Sequence, residues 1–161
     1  MTDDTRAFVR HVLATLAYRA AKPLRDAPDR FASFRASETT RTPAQVLAHM
    51  GDLLDWALTL VEGAERWNNA DPQPWPDETA RFFAALSRLD QALASEAAAS
   101  VPEATLLKLF QGPLADAFTH VGQLTMLRRQ SGAPIRGENY YRADIVTGRV
   151  GPEQTAPRRE F

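Results

Sequence analysis

The stretch Thr42-Pro-Ala-Gln-Val-Leu-Ala-His-Met-Gly-Asp-Leu-Leu-Asp-Trp-Ala-Leu-Thr-Leu-Val-Glu-Gly63 decides the fold class. Thr42 is a suitable N-cap, and Pro43 fits the first helical position, where its missing N–H costs nothing. Val46, His49, Met50, Leu53, Ala57 and Leu60 recur at helical spacing and make one inward stripe. The helix is expected to reach about Glu62, with Gly63 near its C-terminus.

Reading outward, the same period recurs. A helix is expected from about Asp4 to Lys22, with Phe8, Val12, Leu16 and Ala20 inward and Pro23 and Pro28 ending it or following its end. After the Pro- and Trp-rich connection 71–76, a third helix is expected from about Asp77 to Ala98, carrying Phe82, Leu86, Leu89 and Leu93. A short helical turn should cover Pro102 to Phe110. A fourth long helix should start at Gly112-Pro113 and stop at Gly132, with Pro134 just beyond. Strand alternation is missing. The expected fold is all-α, a four-helix bundle with long connections, in a single domain over 1–161. The tail, about 135–161, is rich in Gly, Pro, Arg and Tyr and is expected to lie irregularly over the bundle, its last ten residues loosely held.

Composition narrows the function. The chain has 161 residues, 44% hydrophobic and 24% charged, with a formal net charge of −1. No apolar run approaches a membrane span, and no basic block supports nucleic-acid binding. The acidic start Met-Thr-Asp-Asp is unlike a secretory signal, so a cytoplasmic protein is expected. There is no cysteine, so any thiol chemistry must use a thiol brought in from outside.

The chemistry-bearing pattern is Asp116-x-x-x-His120, about seventy residues after His49. Residues four apart share a helix face. Asp116, His120, Leu124 and Leu127 lie along one stripe, and His49 lies on the stripe of the second helix. Two imidazoles and a carboxylate suit a divalent metal with open positions. Their ligating atoms are then expected within about 4 Å of one another in the bundle interior, given metal bonds of ~2.0–2.2 Å. Bland readings stand beside this. Asp116 is read equally as a first-turn acid favoured by the helix dipole, and either histidine as a hydrogen-bonded core residue. His11, the third histidine, sits at the edge of its stripe, as a ligand or site-lining residue or otherwise on the surface. Asp52 is read as a partner orienting His49 or as part of a solvated face. Gly122 is read as a point of close helix approach, Gln123 as a cap or cavity residue, and Tyr140 and Tyr141 as a pocket wall or as a pin for the tail.

The segment Pro43-Ala-Gln-Val-Leu-Ala-His49-Met-Gly-Asp-Leu resembles the second-helix motif of the DinB/YfiT-like superfamily. Asp116-Ala-Phe-Thr-His120-Val-Gly-Gln-Leu resembles its fourth-helix motif, His-x-x-x-His followed closely by Gly-Gln. The resemblance covers about residues 4 to 134. It implies metal ligands at His49 and His120, with Asp116 where the middle histidine usually stands. The mycothiol-dependent maleylpyruvate isomerase branch is similar in placing a carboxylate there. Implied with it are a zinc or nickel ion in purified protein, a low-molecular-weight thiol, a small-molecule substrate, a homodimer, and thiol-dependent transferase or isomerase chemistry. A metal-dependent hydrolase uses the same ligands. A non-enzymatic binding or stress-related protein with a decayed site is the third reading.

Overall fold

The computed structural model describes residues 2–161, and within them the protein is all-helical. The helices are α1 (Thr2–Leu24), α2 (Pro43–Val61), α3 (Trp75–Ala94), α4 (Glu103–Leu109) and α5 (Ala115–Gln130). Three 3-10 turns add to them at Asp29–Phe31, Glu96–Ser100 and Tyr140–Arg142. A π-type turn, Phe110–Leu114, joins α4 to α5, so the two run as one interrupted helix and complete a four-helix bundle. Among the described residues no helix is long and apolar enough to cross a membrane.

Helix α2 begins as its cap predicts. The Gln45 N–H donates to Thr42 Oγ1, and the Gln45 side chain accepts from the Thr42 N–H, a reciprocal capping box. At the other end Gly63 has φ +71°, and the Ala64 N–H reaches back to the Thr59 carbonyl at 2.9 Å. Gly132, φ +78°, ends α5 in the same way. Helix α2 packs most extensively against α3, while α1 and α5 close the other side. Phe31, Leu13, Leu16, Leu47, Met50, Leu54, Phe82, Leu86, Leu89, Leu93, Leu106 and Leu109 fill the core.

Several expectations need correction. On α1, Phe8 is 56% exposed and Val9 is buried instead. The buried stripe runs through Val9, Leu13, Leu16 and Ala20, and Phe8 turns edge-on to Phe110 at its rim. Pro23 lies inside the last turn of α1, which ends one residue later at Leu24. Helix α3 stops at Ala94, because Ser95 is extended (ψ 156°) and its hydroxyl donates to the Ala92 carbonyl at 2.7 Å. Gly112-Pro113 starts no helix. Proline has no N–H and crowds the carbonyl four residues back. The wider turn accommodates it, with the Ala115 N–H donating to the Phe110 carbonyl five residues earlier.

The tail is held to its end. Its terminal residues return antiparallel to 137–139, with a bridge between Glu138 and Glu160. The Asn139 and Phe161 amides donate to Arg159 and Gly137 carbonyls, each at 3.0 Å. The Phe161 ring lies where a Cβ on Gly137 would be, 2.6 Å away.

Two buried charge systems lock the bundle. Arg81 on α3 reaches across α2 to Asp52 and Asp55, and pairs with the fully buried Glu78 at 2.9 Å. Desolvation alone would lower its pKa, but the bonds to Asp52 and Glu78 outweigh that and raise it. Asp52 is therefore neither a solvated residue nor a partner of His49. It also accepts the Ala70 N–H at 3.1 Å, and Glu78 accepts the Gln73 N–H at 2.9 Å. These bonds tie the 63–74 connection to the bundle. Arg128 on α5, buried, donates to the Pro23 and Arg25 carbonyls at 2.9 and 3.0 Å and to Ala133 at 2.8 Å. It thereby satisfies carbonyls at the end of α1 that have no helical partner.

Candidate metal centre

His49 points from α2 toward α5, where Asp116 and His120 stand one turn apart. The Asp116 carboxylate faces both imidazoles. Its Oδ2 is 3.3 Å from His49 Nε2, and its Oδ1 is 3.3 Å from His120 Nε2. The imidazole rings are edge to face with centroids 4.9 Å apart. One ligating atom from each residue lies within 4.8 Å of the others, slightly wider than the expected spacing. The cluster sits at the edge of the bundle, not in its interior. His120 is buried and His49 partly so, but the Asp116 side chain is 45% exposed.

That placement bears on the alternatives for Asp116. Because α4 runs into α5 through a helical turn, Leu114 and Ala115 both have helical backbone angles. The free N-terminus of this helix lies at Glu103, about three turns earlier. Dipole stabilisation falls off within the first turn, so it does not account for Asp116.

The hydrogen bonds of His120 constrain its proton. His120 Nδ1 is 2.8 Å from the Gln123 side-chain oxygen. A carboxamide oxygen only accepts, so Nδ1 carries the hydrogen. In the neutral ring Nε2 then presents a lone pair toward the Asp116 carboxylate. Two electron-rich groups at 3.3 Å need a cation between them, either a proton on Nε2 or a metal ion. A histidine whose other nitrogen donates to a side-chain oxygen is the usual arrangement of a metal-bound imidazole. Ligands ~2.1 Å from a tetrahedral ion stand about 3.4 Å apart; each imidazole is close to that distance from one of the two Asp116 oxygens, and a shared ion would draw the set, now within 4.8 Å, closer together. The donor set thus fits a divalent metal.

Aromatic side chains cover one flank. Trp67 lies edge-to-face against His49 at 5.8 Å, and Trp56 against Trp67 at 5.8 Å. Trp75, away from the cluster, packs on Phe31 at 5.3 Å. Two cavities open beside the cluster. One, about 310 Å³, is lined by His49, Gln45, Asn69 and Asp71. The other, about 510 Å³, is lined by His120, Gln123, Val46, Met126 and Leu127. Arg41 lines both.

Of the other candidates, Gln123 belongs to the site as the partner of His120 and as cavity lining. Tyr140 and Tyr141 do not line either cavity. Tyr141 is 98% exposed, and Tyr140 pins the tail, edge-on to Tyr18 at 6.2 Å and under the Arg19 guanidinium at 4.1 Å. His11 is on the surface beside Thr147, 3.2 Å away. A Cβ on Gly122 would meet nothing within 4 Å, so no helix approaches closely there. The close approach is at Gly51, where a Cβ would stand 3.0 Å from the Arg81 guanidinium. The sequence reading missed Arg41 and Trp67. Compared with protein-family models, with curated proteins and with solved structures, the chain matches none.

Proposed function

We propose that His49, Asp116 and His120 hold a divalent metal ion, and that the chain is a metal-dependent enzyme of the DinB/YfiT-like kind. In this reading it carries out transferase or isomerase chemistry on a small molecule, with a low-molecular-weight thiol as co-reactant. The observation that carries the reading is the Asp116 carboxylate set 3.3 Å from two imidazole Nε2 atoms, while the other nitrogen of His120 is committed to Gln123. When bound, the ion supplies Lewis-acid polarisation of a substrate oxygen and favours the thiolate form of a thiol. The chain's own residues do the rest. Gln123 fixes the His120 tautomer, Trp67 shields His49 from water, and Arg41 stands where the two flanking cavities meet.

Two cavities of different character favour a reaction of two reactants over hydrolysis. The one beside His49 is polar, and the one beside His120 has Val46, Met126 and Leu127 as apolar walls. The absence of cysteine fits a thiol that arrives from outside.

The test has two stages. Elemental analysis of untagged protein purified without chelator should give close to one zinc or nickel per chain, lost in Asp116→Ala. Metal-loaded protein is then screened with mycothiol, bacillithiol and glutathione against electrophilic and isomerisable substrates. Protein that takes up no metal rejects the reading. Turnover that proceeds equally without thiol points to the hydrolase. A homodimer belongs to the same proposal, with the exposed Phe8, Leu107 and Phe110 as its apolar face. A monomer mass in sedimentation at micromolar concentration removes that part.

A further inference from the structure

We propose a second small-molecule site, separate from the metal cluster, that takes a small organic dianion carried on an aromatic ring. It is the cleft of about 280 Å³ between α1, α5 and the tail. Arg19, Arg129 and Arg136 line it, and Phe118, Tyr140 and Phe161 supply apolar walls. On α5, Phe118, Gly122, Thr125 and Arg129 line this cleft, on the face opposite Asp116, His120 and Gln123.

The charge balance points to the ligand. The carboxylate lining the cleft is Glu138, and it is already committed. Its Oε1 accepts from the Tyr18 hydroxyl at 2.5 Å and its Oε2 pairs with Lys22 at 3.0 Å. Glu160 is shared between Lys22 at 3.4 Å and Arg136 at 3.5 Å. Among side chains that line the cleft or pair with its lining, the four cations Arg19, Lys22, Arg129 and Arg136 thus stand against the two carboxylates Glu138 and Glu160. Guanidinium groups bind phosphate and carboxylate oxygens in pairs, and so match a dianion better than chloride.

The site is also built in advance. The Arg19 guanidinium is held over the Tyr140 ring at 4.1 Å, Tyr140 stands edge-on to Tyr18, and Tyr18 is bonded to the buried Glu138. An arginine already fixed by a ring loses less freedom on binding. The floor is open at Gly122, where a Cβ would meet nothing within 4 Å.

Phenyl phosphate and phthalate serve as probes for the two headgroups. Each is titrated calorimetrically into the full chain in EDTA, so that no metal at His49 and His120 binds the anion. Sodium chloride at matched ionic strength is the control. Saturable binding of one or both is expected, weakened tenfold or more by Arg129→Gln and by Gly122→Leu, and unchanged in Arg41→Gln, which alters the cavities beside the metal cluster instead. Gly122→Leu has room for its side chain and raises helix propensity, so loss of binding there is not loss of fold. Circular dichroism checks this. The relative affinity of the two probes identifies the headgroup. No saturation by either probe, or binding that both substitutions leave intact, overturns the proposal. Loss of binding in Arg41→Gln would overturn it too, by placing the anion in the cavities beside the metal cluster.

Discussion

Gln123 and His120, three residues apart on α5, share a 2.8 Å hydrogen bond from the imidazole Nδ1 to the carboxamide oxygen. The bond turns Nε2 toward Asp116, where in the neutral ring it presents its lone pair. Gln123→Leu should therefore free the ring to change tautomer and weaken metal binding by about 10–100-fold. Gln123→Glu, which keeps an acceptor at the same reach, should retain most of the affinity. Competition titrations with a chromophoric zinc chelator measure both. Equal affinities for wild type and Gln123→Leu would mean that Gln123 does not orient the ring.

Asp116→Ala separates the metal reading from a structural one. The carboxylate is 45% exposed, and ion pairs at such positions contribute about 0–1 kcal/mol. Alanine also has the higher helix propensity. In EDTA the melting temperature should thus change little. With zinc at a hundredfold excess over its dissociation constant, the wild type should gain about 2.7 kcal/mol by linkage, and the variant much less. An equal response of the two proteins to zinc would remove Asp116 as a ligand.

Much of this site was legible in the sequence because its signals are local. Thr42, Pro43 and Gly63 bracket α2, and a four-residue spacing puts Asp116 and His120 on one face. The convergence of His49 followed from two inward stripes. What was not legible depends on partners far along the chain. Nothing near Arg81 announces Asp52, 29 residues away, and nothing near Arg128 announces the carbonyl of Pro23, 105 residues away. Phe8 and Val9 are equally apolar neighbours, and which of them is buried depends on how α1 is turned in the bundle. Gly112-Pro113 carries the local signal of a helix start. Its continuation as a π-type turn, with Leu106, Leu109 and Leu114 buried on either side, is not announced by the dipeptide itself.

Gly51 tests how firmly Arg81 is held. In an exposed helix Gly→Ala stabilises by about 1 kcal/mol. Here the added methyl would stand 3.0 Å from the guanidinium carbon and one of its nitrogens. Arg81 is fixed by Asp52, Asp55, Glu78 and the Ala48 carbonyl, so it has little room to retreat. Gly51→Ala should therefore destabilise by about 1–3 kcal/mol, the scale of a disturbed buried ion network. Urea unfolding would show it as a lower midpoint at unchanged slope. A midpoint that rises would mean that Arg81 moves aside freely.

Tyr18 should make the fold sensitive to alkali. Burial raises the pKa of its hydroxyl, and the hydrogen bond to Glu138 raises it further, because an ionised phenolate would face a carboxylate. In the unfolded chain the phenol titrates near its ordinary value of about 10. The sign follows from proton binding. Below pH ~10 both states keep the proton, and the Tyr18–Glu138 contact contributes fully. As pH rises past that value, the unfolded chain releases the proton while the folded one retains it, so stability falls. The loss continues until the folded state also ionises. Tyr18→Phe removes this proton. It should cost about 1–2 kcal/mol at pH 8, where Glu138 loses a donor and keeps Lys22. Between pH 9.5 and 11 the variant should lose less stability than the wild type. The measurement is the urea midpoint of both proteins across that range. Parallel decline of the two curves would show that Tyr18 is not the group responsible. A steeper decline in the variant would reverse the sign and contradict the contact with Glu138.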